Sequence, residues 1–162
     1  MSQITIGIMG PGDKASAYDI DNAYGIGKLC AARGYLVMTG GRPLGVMEAG
    51  LKGAKEGGGK TLAILPFKSK EDASTYADVV VVTGMNSARN FINALTSDIL
   101  VACGVEAGTL SEIALALKEK KKVVLLTKNG KANDFLADLY PALVEVASNP
   151  EEAMRCIQKI LA

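Results

Sequence analysis

The chain has 162 residues, 49% of them hydrophobic, with 18 Lys and Arg against 17 Asp and Glu, enough to bury one core but not two. A formal net charge of +1 offers no basic face for counterion-releasing contacts with nucleic acid. The absence of His removes the imidazole base, the Ser-His and Cys-His nucleophile pairs and most zinc sites, leaving chemistry to carboxylates, Arg, Lys, Tyr, hydroxyls and backbone amides.

Apolar runs of strand length alternate with helical stretches to the end of the chain, the pattern of an α/β protein. Residues 4–9 read as a buried first strand, 17–33 as a helix stopped at Gly34, and 35–38 as the second strand. Residues 45–56 fit a second helix ended by Gly57-Gly58-Gly59, and 61–65 a strand closed by Pro66, completing one βαβαβ half. The second half opens with the β-branched run 78–82, followed by a helix over 88–97 and a central buried strand at 99–102. A helix over 109–120, a strand at 123–126, a short helix over 132–139 and a strand at 143–146 come next. Ser148-Asn149-Pro150-Glu151-Glu152 has the cap, the early proline and the acids of a helix start, and that helix runs through residue 161. The expected architecture is one Rossmann-like domain over 1–162, a doubly wound, mostly parallel sheet with helices on both faces.

Cys30, Cys103 and Cys156 are odd in number and form no C-x-x-C pair, so they read as reduced thiols. The start MSQITIGIMG has no basic stretch ahead of its apolar run, and no window holds the roughly 18 apolar residues of a membrane span. The expected compartment is the cytoplasm. The run Lys118-Glu119-Lys120-Lys121-Lys122 reads as a solvated helix end whose cations suit the macrodipole.

In a parallel sheet, right-handed crossovers place every strand-to-helix loop on one edge, where doubly wound folds bind ligands. Here those loops read Gly10-Pro11-Gly12, Thr39-Gly40-Gly41-Arg42-Pro43-Leu44-Gly45, Thr83-Gly84-Met85-Asn86 and Cys103-Gly104-Val105-Glu106-Ala107-Gly108-Thr109. Glycines suit tight turns in any βα unit, but four such loops, each feeding a helix N-terminus, point to an anion site. Gly7, Gly10 and Gly12 do not spell G-x-G-x-x-G, and Thr39-Gly40 stands where an acid would hold the ribose of NAD, so an NAD site is disfavoured. Arg42 leaves a weaker NADP reading open, and Gly45-Val46-Met47-Glu48-Ala49 lacks the Gly-Lys-Ser/Thr of a Walker ATP loop.

Arg89 falls in the first turn of its helix, where a cation faces the positive end of the macrodipole, so an anion should answer it. That partner is a bound phosphate or an acid such as Asp98. Thr109-x-x-Glu112 forms an ordinary capping box, yet the same carboxylate stands where it would accept a ligand hydroxyl or steady a glycosyl cation. Cys103 and Met85 read as soft apolar fillers at the ends of buried strands.

Gly40-Gly41, Gly45-Val46-Met47-Glu48-Ala49, Gly53-Ala54, Gly57-Gly58, Leu65-Pro66, Arg89-Asn90 and Gly108-Thr109-Leu110-Ser111-Glu112 resemble the landmarks of the Lonely Guy and "possible lysine decarboxylase" superfamily. More closely they resemble its short branch of molybdenum cofactor carrier proteins from algae and cyanobacteria. The resemblance implies a phosphate-bearing ligand at the glycine edge, a homodimer or dimer of dimers, and molybdoenzymes or cofactor-synthesis proteins as partners. In the Lonely Guy enzymes an Arg and a Glu at the positions of Arg89 and Glu112 serve hydrolysis of a nucleoside monophosphate to base and ribose phosphate. Those enzymes carry Met-His-x-Arg-Lys and Pro-Gly-Gly, where this chain has Met85-Asn86-Ser87-Ala88-Arg89-Asn90 and Gly104-Val105-Glu106. A Glu in that loop repels phosphate unless it turns outward or meets a cation. These departures favour a carrier of molybdenum cofactor, a phosphorylated pterin, over a phosphoribohydrolase.

The residues expected at the cofactor are Gly10, Gly40, Gly41, Arg42, Gly45, Asn86, Arg89, Gly108, Thr109 and Glu112, with the phosphate on the amides of Gly40, Gly41, Gly108 and Thr109. No directly bound metal is expected. Phe91, Ile92 and Leu95 exceed what one sheet face needs and are expected to be partly buried between subunits.

Overall fold

The computed structural model describes residues 3–162; Met1 and Ser2, the first residues of the leader reading, lie outside them. Seven strands form one all-parallel sheet: β1 (Thr5–Met9), β2 (Leu36–Thr39), β3 (Thr61–Leu65), β4 (Val79–Val82), β5 (Ile99–Cys103), β6 (Lys122–Leu126) and β7 (Val144–Val146). Six α-helices connect or follow them: α1 (Ala17–Ala32), α2 (Gly45–Glu56), α3 (Arg89–Thr96), α4 (Ala107–Lys118), α5 (Gly130–Leu139) and α6 (Pro150–Leu161). The strand order is β4-β3-β2-β1-β5-β6-β7. The chain therefore winds outward from β1, then returns through α3 to place β5 on the other side of β1. That reversal is the topological switch point of a Rossmann-like fold, and the expected doubly wound parallel sheet with helices on both faces is borne out.

Alternation along β1 serves both faces. Ile6 and Ile8 meet α1, α2 and α6 through Ala23, Ile26, Cys30, Ala49, Ala54, Met154 and Ile157. On the other face Met9, Leu100 and Ala102 meet α3, α4 and α5 through Ala94, Ile113, Ala116 and Leu136. β1 and β5 are wholly buried, as strands covered on both faces should be. α1 ends in a Schellman arrangement, with Gly34 at φ +76 and the Gly34 and Tyr35 amides donating to the carbonyls of Ala31 and Cys30. α6 starts as its sequence predicts, with the Asn149 side chain accepting from the Glu152 amide at 2.9 Å.

Some expectations fail for physical reasons. β1, not β5, is the middle strand, and β4 does not open the second half but pairs with β3 at the outer edge of the first. At that edge Val79, Val81 and Val82 are exposed, because β-branching favours an extended chain without fixing its place in the sheet. α4 begins at Ala107, two residues earlier than expected. Gly104, at φ +84, turns the chain straight after β5, and Glu106 becomes the N-cap without a capping hydrogen bond from its side chain. Thr109 is then the third helical residue rather than the cap, and the capping box does not form. Of the lysine run, Lys121 leaves solvent: its Nζ donates to the Leu95 and Ser97 carbonyls and so caps the end of α3.

Candidate functional site

At the switch point, beyond the carboxyl ends of β1, β2 and β5, lies a cavity of about 220 Å³. The loop after β1 contributes Gly10, Gly12, Asp13 and Lys14; the β2 loop and α2 contribute Gly40, Arg42 and Met47; α3 contributes Arg89 and Asn90; α4 and its cap contribute Glu106, Gly108, Thr109 and Glu112. Gly10 is needed for close approach, since a Cβ there would overlap the Cys103 carbonyl and press on Val46. Gly40 clears room for the Arg89 guanidinium, because a Cβ would overlap Arg89 Nη1 and stand 2.8 Å from Met47 Sδ.

α3 has its buried stripe in an unusual place. Arg89, Asn93 and Ala94 face inward, whereas Phe91 and Leu95 are 40% and 44% exposed. Residues four apart share a helix face, so burying Arg89 also buries Asn93, whose Nδ2 donates to Glu112 Oε1 at 2.8 Å. Asn90 ties the starts of α3 and α4 together by donating to Ser111 Oγ at 2.9 Å. α4 in turn presents Gly108, Thr109 and Glu112 along one wall. The amides of Ala107, Gly108 and Thr109 lie in its first turn, where no intrahelical acceptor exists.

The electrostatics are tense. Arg89 is only 8% exposed; burial pulls its pKa down, Glu112 works against that, and Arg42 adds to it. The ion pairs found among the described residues, Lys55–Asp78 and Lys159–Glu145, leave Arg89 out. Asp98, the alternative partner, instead accepts from the Thr5 amide at 2.8 Å. Burial pushes the Glu112 carboxyl up to about 7, with Asn93 and Arg89 opposing and Glu106 reinforcing. Arg89 Nε, Thr109 Oγ1 and Asn93 Oδ1 are buried without hydrogen-bond partners. Asn22 Nδ2, Glu48 Oε2 and Asn133 Oδ1 share that state away from the cavity, whereas Arg89 and Thr109 line it, where a ligand could supply the missing bond. Arg42 lies over the Phe67 ring, 5.7 Å from its centroid, which orients the guanidinium without neutralising it.

Of the expected residues, the structure brings together Gly10, Gly40, Arg42, Arg89, Gly108, Thr109 and Glu112. It leaves Gly41, Gly45 and Asn86 off the wall. The Gly41 amide donates to Thr39 Oγ1 at 3.0 Å, and its carbonyl accepts from the Ser74 amide, so it has no free N–H for a phosphate. Gly45, at φ +50, abuts the Pro11 and Gly12 carbonyls and faces a separate groove of about 380 Å³ between α1 and α2. Asn86 is exposed in a 3-10 turn ahead of α3, and Met85 beside it is 48% exposed rather than a buried strand end. Cys103 does end a buried strand. Sequence reasoning missed Met9, Asp13, Lys14, Met47 and Asn93 and used Asn90 only as a landmark; for Asn93, a polar residue four beyond Arg89 was the available signal. Among the described residues no group of three or more His, Cys, Asp or Glu side chains stands close enough to hold a metal ion, and no helix is long and apolar enough to cross a membrane.

Residues 3–154 match the SLOG cluster4 family. The chain belongs to that family. Solved structures with the same full-length fold include the molybdenum cofactor binding protein from the phototrophic bacterium Rippkaea orientalis, 44% identical with a TM-score of 0.97 over 100% of this chain and 99% of that one. The Moco carrier protein from Chlamydomonas reinhardtii is 43% identical, with a TM-score of 0.92 over 99% of this chain and 98% of that one. An uncharacterized protein of Archaeoglobus fulgidus is 41% identical over 162 residues, 97% of each chain. The resemblance to the carrier branch, drawn from the glycine landmarks and the Gly108-Thr109-x-x-Glu112 run, is borne out by these neighbours.

Proposed function

We propose that this protein binds, shields and carries molybdenum cofactor without transforming it. The observation that carries the reading is the set of buried, unpartnered polar atoms at the switch-point cavity, Arg89 Nε and Thr109 Oγ1, beside the free amides at the start of α4. Phosphate is the group such a cluster suits: three oxygens take N–H bonds from the helix start and charge-assisted bonds from Arg89 and Arg42. Full-length relatives named for this cofactor, at 43–44% identity, support the pterin phosphate as the phosphate-bearing ligand. Gly10 and Gly40 let the ligand approach the backbone, and Gly41 and Gly45 shape the loops behind them. In this reading the protein is cytoplasmic, acts as a homodimer or dimer of dimers, and hands its cargo to molybdoenzymes or receives it from cofactor-synthesis proteins. The exposed Phe91 and Leu95 of α3 support self-association.

One observation favours a second reading. Arg89 and Glu112 share the cavity wall, as a phosphoribohydrolase acting on a nucleoside monophosphate would require. Incubating the purified protein with molybdenum cofactor and with adenosine monophosphate separates the two. The carrier reading expects cofactor to survive longer in air and no ribose phosphate to appear. Release of ribose phosphate that disappears in Glu112→Gln would overturn it in favour of the hydrolase.

A further inference from the structure

We propose that Glu112 is a specificity residue for the flat ring of the ligand: its carboxylate, held by Asn93, selects rings that present adjacent N–H donors, as a 2-amino-4-oxopyrimidine does, over rings that present a nitrogen lone pair beside an amino group, as adenine does. The inference rests on the carrier reading only in placing the ring at this wall. Glu112 is 6% exposed and Asn93 fully buried, so the carboxylate is fixed rather than swinging in solvent. Oε1 already accepts from Asn93 Nδ2 at 2.8 Å, and each carboxylate oxygen has a second lone pair. In the ionised form, what remains for a ligand is acceptor capacity with no donor.

Position along α4 separates this acceptor from the anion site. Gly108 lies at the start of the helix and Glu112 four residues further, about 6 Å along the axis at 1.5 Å per residue. A phosphate on the first-turn amides therefore leaves the ring of the same molecule to reach Glu112. Arg89 lies on the same wall, and an N–H of its guanidinium not taken by the phosphate suits the 4-oxo group. A guanine-like or pterin edge offers two donors to the carboxylate and an acceptor to the guanidinium. An adenine edge turns its ring nitrogen lone pair toward the carboxylate, and one partner is left unmatched.

The test uses purified full-length protein and three probes: guanosine monophosphate, adenosine monophosphate and inorganic phosphate, with binding measured calorimetrically. The wild type should favour guanosine monophosphate by about tenfold, the discrimination of one well-placed bidentate edge. Glu112→Gln, which keeps the bond from Asn93 but replaces one acceptor with a donor, should abolish that preference; the effect of the lost charge on the phosphate is common to both nucleotides and cancels in their ratio. The ratio should also fall toward one as the pH drops through about 7, where Glu112 takes up a proton; the nucleotide phosphates titrate alike and cancel in the ratio. The charged groups that share the cavity wall with Glu112 are Arg89 from α3, Arg42 from the β2 loop, Asp13 and Lys14 from the β1 loop and Glu106 from its own helix cap. Equal affinities in the wild type, a preference that survives Glu112→Gln, or no binding of any probe would overturn the proposal. Cofactor survival, measured separately, decides the carrier reading in each of these cases.

Discussion

Replacing Arg89 with methionine should damage binding and spare folding. Arg89 is buried with Nε unpartnered and stands outside the ion pairs of the described residues, so the folded protein holds a charge whose hydration is lost and incompletely replaced. Such a penalty amounts to several kcal/mol for an ion without a close partner, and apolar replacements of similar volume are often neutral or stabilising by about 1 to 4 kcal/mol. Methionine keeps an unbranched stem of similar length, which alanine would not. Against this gain, Glu112 loses the cation that opposes its burial, but it can answer by staying protonated. Arg89→Met should therefore match or exceed the wild type in thermal stability without ligand, while affinity for inorganic phosphate or a pterin phosphate falls by about 1.5 to 3 kcal/mol, or ten- to a hundredfold. Paired thermal denaturation and calorimetry on the same preparations read both quantities. A loss of more than about 2 kcal/mol in ligand-free stability, well beyond the effect of an ordinary surface change, would make Arg89 a structural residue and refute the reasoning. Unchanged affinity would remove it from the site.

Glu112→Gln has a second signature, in stability. A carboxyl raised from 4.5 to about 7 in the folded state binds its proton more tightly than the unfolded chain does, so its effect is destabilising once both forms are ionised. Wild-type stability should fall as pH rises between about 4.5 and 7, and the variant should be more stable above that window by roughly 3 kcal/mol; equal wild-type and variant denaturation midpoints at pH 8 would contradict this. Gly40→Ala should push Arg89 and Met47 aside, costing about 1 to 3 kcal/mol of stability and most of the phosphate affinity, since both obstructing atoms end flexible side chains; binding at wild-type strength would show that Arg89 need not sit there. The exposed Phe91, Leu95 and Leu110 should be covered in a homodimer or larger assembly, so light scattering should give at least twice the chain mass and Leu95→Glu should reduce it to that of one chain. A wild-type monomer at micromolar concentration would defeat the assignment.

The frame of the fold is legible because its signals are local and repeated. Runs such as Val123-Val124-Leu125-Leu126 read as strands from their length and β-branching, and Asn149-Pro150 or Gly34 mark helix ends by backbone chemistry alone. What escapes is whatever depends on partners distant in sequence. Val79 to Val82 look like any buried strand until the strand order puts them at an edge. The expected cap at Thr109 failed because the turn at Gly104 let the helix start at Ala107. Gly41 has a glycine's freedom, at φ +78, but spends it packing against Ala63 and Leu65, a contact no local pattern announces. The site was legible as an edge and a charge rather than as a set of contacts: Arg89 and Glu112 were readable as residue types out of place, whereas Lys14 and Asp13 resemble any polar loop.

The orientation of α3 is what a ligand beneath it would require and not what packing alone favours. A helix free to follow the hydrophobic effect would turn Phe91 and Leu95 inward and give Arg89 and Asn93 to water. Here the reverse holds. Leaving two large apolar side chains nearly half exposed forgoes on the order of 1 kcal/mol each, and burying Arg89 adds a desolvation cost of several more. Among the described residues the offset is partial: Asn93 donates to Glu112, and Glu112 favours the charged form of Arg89, but Arg89 Nε, Thr109 Oγ1 and Asn93 Oδ1 gain no hydrogen bond. The remainder can be recovered from outside the chain, on both faces of the same helix. A partner surface over Phe91 and Leu95 recovers the apolar term, and an anion beside Arg89 recovers the polar one. The two are linked through the helix that carries both, so phosphate binding should tighten self-association, and dilution that dissociates the oligomer should weaken phosphate binding in the same measure. Sedimentation of the protein with and without saturating phosphate reads this coupling directly. An association constant unmoved by phosphate would mean that α3 is held in its inverted orientation by the fold alone.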